Sequence, residues 1–179
     1  MQCLLLACID SVGFWEGNDS LGFYPEITPA LYREPETEKT FLYTFGSQDG
    51  PVVFDVSDPS TPKYLGLIHF PDSLGNPVVM GSGIVIDSFL YGFAYVSGRL
   101  SVVVYSLEDP VHPRVIAVSS FKNKLSPKGK SGGFDYIAHV PETKTLYYLD
   151  WNSRILFILD LSNPLSPQPL GTFGSGLGL

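Results

Sequence analysis

A ten-residue phrase occurs three times in this chain. Residues 53–62 read Val-Phe-Asp-Val-Ser-Asp-Pro-Ser-Thr-Pro, residues 104–113 Val-Tyr-Ser-Leu-Glu-Asp-Pro-Val-His-Pro, and residues 158–167 Ile-Leu-Asp-Leu-Ser-Asn-Pro-Leu-Ser-Pro. Each begins in a short run of β-branched, aromatic and aliphatic residues, dense enough for a strand covered on both faces. Asp58, Asp109 or Asn163 then opens a turn, its side chain placed to accept from backbone amides just ahead, and the next proline presets φ. The second proline (Pro62, Pro113, Pro167) has no backbone N–H and so belongs at the start of an edge strand. Those edge strands are expected over Lys63–Phe70, Arg114–Phe121 and Gln168–Phe173.

The copies recur at nearly constant spacing: 51 residues separate Pro59 from Pro110, and 54 separate Pro110 from Pro164. A period of this size marks a stacked-unit architecture. The repeat also extends upstream. Pro35-Glu-Thr-Glu-Lys-Thr-Phe-Leu-Tyr43 returns as Pro141-Glu-Thr-Lys-Thr-Leu-Tyr-Tyr148, a hairpin turn running into a strand, and Leu90–Val96 fills the same place in the middle unit. Inner strands are expected over Ile27–Arg33, Gly81–Phe89 and Gly132–Val140, with Pro71–Met80 and Lys122–Ser131 as the connections between units. Four strands per unit joined by short turns make one blade of a β-propeller.

A strand of aliphatics with an internal Asp, followed by Ser-Asp-Pro-Ser-x-Pro, resembles the LVIVD-repeat family of β-propeller proteins. Residues 53–62 match closely, 104–113 and 158–167 more loosely, and the likeness covers about residues 27–173. The resemblance implies a propeller fold and a bacterial surface or secreted setting, and it carries over no catalytic motif. The chain departs from the family in having fewer units than its rings of seven or eight.

The expected fold is therefore all-β and propeller-type, one domain over 1–179 with three full four-stranded blades at 27–73, 81–121 and 132–173. Residues 1–26 are expected to form a degenerate, partial fourth blade. Val12–Ser20 lines up with Val52–Ser60 at an offset of 40, although the diagnostic prolines are absent. Gly174–Leu179 is a candidate closing strand. It would complete a blade in the same chain, complete one in a second copy, or continue edge to edge into a polymer. How the two termini pair is the question on which function turns.

Composition excludes several function classes. A net charge of −7 and a sequence pI of about 4.8 argue against a general nucleic-acid footprint. No apolar stretch approaches the roughly 20 residues that a membrane-spanning helix needs. Leu5-Leu6-Ala7-Cys8 looks like a lipoprotein cleavage box, but only seven residues, none basic, precede Cys8. A buried strand is the better reading, and Cys3 and Cys8 in an extended run would point to opposite faces, which disfavours a mutual disulfide. Asn18-Asp19-Ser20 matches a glycosylation sequon, a pattern short enough to arise by chance.

Chemistry at a propeller is expected near the channel mouth, beside the inner strands. The residues there are Asp87, Asp135, His139, Asp150 and Trp151, of which Asp135, His139 and Asp150 are the weak acid/base or ligand candidates. The three histidines, His69, His112 and His139, have no metal-binding spacing. No cofactor is predicted, and a carboxylate site for Ca²⁺ is the metal chemistry left open. Gly81-Ser82-Gly83 and Gly174-Ser175-Gly176 are too short for a nucleophile elbow. Because a catalytic residue need occur only once per ring, the recurrence of Asp55 and Asp160 points to a structural role. Lys122–Lys130 reads as a solvated basic loop, with an anionic partner or sulfated glycan as the alternative. Trp15 and Trp151 are candidates for sugar stacking or inter-blade packing. The expectation is a non-enzymatic binding or structural module, extracellular or at a cell surface, meeting a protein partner or itself through blade edges and termini. An enzyme with a pocket at the channel mouth and a glycan-binding module are the alternatives.

Overall fold

Among the residues whose structure is described, twelve short segments rich in valine, isoleucine, leucine and aromatic residues form strands, as such residues do on a pleated, packed surface. A computed structural model describes residues 29–45, 50–70, 78–96, 99–124, 136–150 and 154–174. The strands are β1 (Ala30–Arg33), β2 (Thr40–Thr44), β3 (Val52–Asp55), β4 (Lys63–Leu67), β5 (Val78–Ile86), β6 (Phe89–Val96), β7 (Arg99–Ser106), β8 (Arg114–Lys124), β9 (Tyr136–Val140), β10 (Thr145–Asp150), β11 (Ile155–Asp160) and β12 (Gln168–Phe173). They build three four-stranded antiparallel sheets, β1–β4, β5–β8 and β9–β12, each a meander in chain order. One sequence repeat makes one sheet, so the chain is an all-β array of blades. The inner strands lie together, β1 against β5 and β5 against β9, while β4, β8 and β12 are the outer edges.

The repeated phrase is the hinge between the third and fourth strands of every blade, and its turn chemistry recurs in each copy. The side chains of Asp58, Asp109 and Asn163 accept from the amides of Ser60, Val111 and Leu165 at 2.9, 3.0 and 3.1 Å. Three residues earlier, Asp55 and Asp160 accept from the amides of Ser57 and Ser162 at 2.9 and 2.7 Å, and Ser106 accepts from that of Glu108 at 3.3 Å. The recurring aspartate is thus a local cap on the chain's exit from the strand. A backbone bond ties each hinge to the start of the second strand: the amides of Val56, Leu107 and Leu161 donate to the carbonyls of Thr40, Ser88 and Lys144 at 2.8 to 2.9 Å.

Period-2 alternation divides every blade into two faces, here called forward (toward the following blade) and backward. The forward face of the first sheet carries Ala30, Tyr32, Phe41, Tyr43 and Val53. It packs on Leu90, Ala94, Val103, Tyr105 and Leu107 of the second. The forward face of the second carries Tyr91, Phe93, Val102 and Val104, and packs on Leu146, Tyr148, Phe157 and Leu159 of the third. At this second junction Phe93 stacks on Tyr148 with centroids 4.0 Å apart and rings nearly parallel. Phe121 meets Phe157 edge to face. At the first junction the Phe45 ring lies directly over Gly83, where a Cβ would come within 2.2 Å of it.

The middle blade is therefore buried on both sides, and β7 is buried from Leu100 to its end at Ser106 without a break. In the third copy, by contrast, burial alternates along β11, because the forward face of that sheet meets no described blade. The expectation of two covered faces holds for the first copy, where Val52, Val53 and Phe54 are all buried, and for the middle one, and is corrected for the third.

Boundaries shift as well. The inner strand expected over Gly81–Phe89 begins at Val78 and stops at Ile86, so part of Pro71–Met80 is strand. Asp87 takes a left-handed φ of 53° and closes a two-residue turn with Ser88, pairing Ile86 with Phe89. Similarly β8 continues to Lys124 rather than ending at Phe121, following a register shift in its pairing with β7. β4 stops at Leu67 rather than Phe70, while β12 spans Gln168–Phe173 as expected. The partial blade at 1–26, the closing strand at 174–179 (save Gly174), and most of both expected connections lie outside the described residues.

Candidate functional site

All three turns between first and second strands fall at the same end of the blades as the hinges. Each carries a non-glycine residue in the left-handed region: Glu38 (φ 57°), Asp87 (φ 53°) and Lys144 (φ 50°). In the third blade, Pro141–Thr143 form a single 3-10 turn closed by the Lys144 amide donating to the Pro141 carbonyl at 3.2 Å.

At this end a cleft of about 540 Å³ opens between the second and third blades. Ile84, Ile86 and Leu161 supply apolar walls, and Asp87, Tyr91, His139, Lys144 and Ser162 supply polar groups. The Tyr91 hydroxyl has its pKa pushed up to about 12, first by burial and then by the Asp87 carboxylate. It therefore stays a neutral donor at physiological pH. The cleft gathers a carboxylate, an ammonium, an imidazole and two hydroxyls, a set that suits hydrogen bonding to a small polar ligand. Asp87 also borders a second cleft, of about 490 Å³, with Leu31, Tyr32, Arg33 and Pro35 of the first blade.

The structure brings together only part of the expected constellation. Asp87 and His139 line the same cleft. Asp150 does not, because β10 runs away from this end: His139 pairs with Leu146, and Asp150 is four residues further along. At the usual strand rise this separates them by about 13 Å. Asp150 is buried and accepts from the Tyr95 hydroxyl of the neighbouring blade. Asp135, Trp15 and Trp151 lie outside the described residues, as does the bulk of the basic loop at 122–130.

The other histidines are elsewhere. His69 follows β4, and His112 sits in the second hinge, where its Nδ1 lies 3.0 Å from Asp109 Oδ2. Among the described residues no group of three or more His, Cys, Asp or Glu is placed to hold a metal ion, Ca²⁺ included. No described helix is long and apolar enough to cross a membrane. Sequence reading missed Tyr91, Lys144 and Ser162 as cleft residues. Their common signal is position, since each lies within three residues of a turn on the hinge end of its blade.

No family model matches the chain, and no curated protein matches it by sequence. One similar solved structure is the crystal structure of Saccharomyces cerevisiae Sqt1, at 13% identity and a TM-score of 0.48, covering 80% of this chain and 34% of that one. The chain thus spans about a third of that structure's length.

Proposed function

We propose that this chain is a non-enzymatic binding or structural module of the LVIVD-repeat propeller kind, a subunit of a larger assembly that works through its blade faces and edges. The observation that carries this reading is where large apolar side chains meet solvent. Leu31 is 61% exposed, Tyr136 58% and Phe173 75%, all three on sheet surfaces rather than in loops. Exposed apolar groups gathered on a sheet favour contact with another protein. The repeated polar residues, meanwhile, are used up in turn chemistry. The test is sedimentation of the labelled chain in extract of its source cells. The reading expects it to travel in a complex heavier than one chain. Sedimentation as a single chain, together with hydrolytic turnover that His139→Ala abolishes, contradicts it.

A second reading is favoured by the cleft between the second and third blades: a small-ligand site, enzymatic or glycan-binding, built on Asp87, Tyr91, His139, Lys144 and Ser162. A glycan array and a panel of chromogenic esters and glycosides, each repeated with Lys144→Ala, distinguish it from the first.

A further inference from the structure

We infer that the cleft between the second and third blades binds a small aliphatic zwitterion, an amino acid or a dipeptide. Tyr91 and Lys144 receive its carboxylate, and Asp87 receives its ammonium. The inference rests on the small-ligand reading of that cleft and names the ligand class.

The two blade junctions repeat one another and differ at one tyrosine. Tyr43 pairs with Val53 and Tyr91 with Val104, the first residues of two copies of the repeated phrase. In the first junction the Tyr43 hydroxyl reaches the next blade and donates to the carbonyl of Pro110. Pro164 holds the place of Pro110 in the third copy. It lines the cleft together with Tyr91, yet the Tyr91 hydroxyl makes no hydrogen bond among the described residues. The Tyr91 side chain is only 1% exposed. A donor set in a buried junction thus faces a cleft of about 540 Å³ where its counterpart is tied to a carbonyl. An arriving acceptor recovers what such a donor loses by burial.

Charge selects the ligand. Asp87 and Lys144 line the cleft from different blades, and neither forms an ion pair among the described residues. The other carboxylate near Lys144, that of Asp160, accepts from the Ser162 amide at 2.7 Å. Asp87 lies close enough to the Tyr91 hydroxyl to raise its pKa, so an anion and a donor adjoin, as ammonium and carboxylate do on an α-carbon. His139, the remaining titratable group of the cleft, carries a ring N–H for the same carboxylate. A lone anion would meet Asp87 and a lone cation Lys144, whereas a zwitterion complements both. Ile84, Ile86 and Leu161 form an apolar wall that suits an aliphatic side chain. The Tyr91 ring is covered, so it offers no face for a sugar to stack on.

The experiment is isothermal titration calorimetry of the full chain with L-leucine and with L-leucyl-L-leucine, which separates amino acid from dipeptide. One of the two is expected to saturate at one ligand per chain. Its amide, without the carboxylate, and its deamino analogue, without the ammonium, should each bind at least about tenfold more weakly. Tyr91→Phe, Lys144→Gln and Asp87→Asn should each weaken binding by a similar factor, about tenfold or more. Lys63→Gln, at the exposed start of β4, should leave it unchanged. The analogue series uses wild type alone, so it decides the matter for any variant that loses its far-UV sheet signal. Absence of binding by both zwitterions up to about 10 mM overturns the inference. So does equal binding of the analogues, or undiminished binding to Asp87→Asn and Lys144→Gln. In any of those cases a glycan or ester recognised by wild type and not by Lys144→Ala leaves the small-ligand reading standing, and without such a hit that reading falls too.

Discussion

The Tyr43 hydroxyl of the first blade donates to the Pro110 carbonyl of the second at 2.8 Å, in a buried contact between residues 67 apart in sequence. It ties a strand of one repeat to the hinge phrase of the next. Burial pushes the Tyr43 pKa well above its ordinary value, which keeps the donor protonated.

Tyr43→Phe should therefore destabilise by about 1–2 kcal/mol, since it leaves a buried carbonyl without its donor. Urea unfolding followed by far-UV circular dichroism measures this. The comparison is Tyr105→Phe. That hydroxyl is equally buried and makes no hydrogen bond among the described residues, so its removal should be neutral or stabilising by up to about 1 kcal/mol. Equal losses in the two variants would contradict the assignment.

Gly83→Ala should cost about 1–3 kcal/mol, because the new methyl would enter the space of the Phe45 ring. Combining it with Phe45→Leu should recover part of that loss. Two costs that simply add would show that the glycine matters for its backbone and not for the ring above it.

Acid should loosen the hinges. Hydrogen bonds from Ser57, Ser60, His112 and Ser162 hold the carboxyls of Asp55, Asp58, Asp109 and Asp160 respectively below the usual carboxylate range. A group with a lowered folded pKa contributes stability above its unfolded value, near 4, and loses it as pH falls through the folded one. The urea midpoint should therefore drop between about pH 5 and 2. Asp58→Asn keeps the acceptor that Asn163 already supplies in the third copy, and should flatten the drop. Asp58 and Asp109 are exposed and Asp55 and Asp160 only partly buried, so each share is small. An unchanged profile in the variant would argue against the hinge as a source of acid sensitivity.

The hinge was legible in sequence because it is local: an acceptor, a proline and a second proline at fixed spacing need no tertiary information. Blade number followed from counting copies, and β12 was placed to the residue because Pro167 and Phe173 bracket it. The stacking was not legible. Val52-Val53-Phe54 and Phe157-Ile158-Leu159 read alike, yet Ile158 is half-exposed because no described blade follows its sheet. The cleft was half legible. Asp87 and His139 lie at turns of the same end, a relation that strand order predicts. Asp150 was misjudged as their neighbour, since its true partner, Tyr95, is 55 residues away and on another blade. Only register shows that.

The most direct test of the account is the mass at which the labelled full chain sediments in extract of its source cells. The account, a module at work within a larger assembly, predicts a complex heavier than one chain. Sedimentation as a single chain would contradict it.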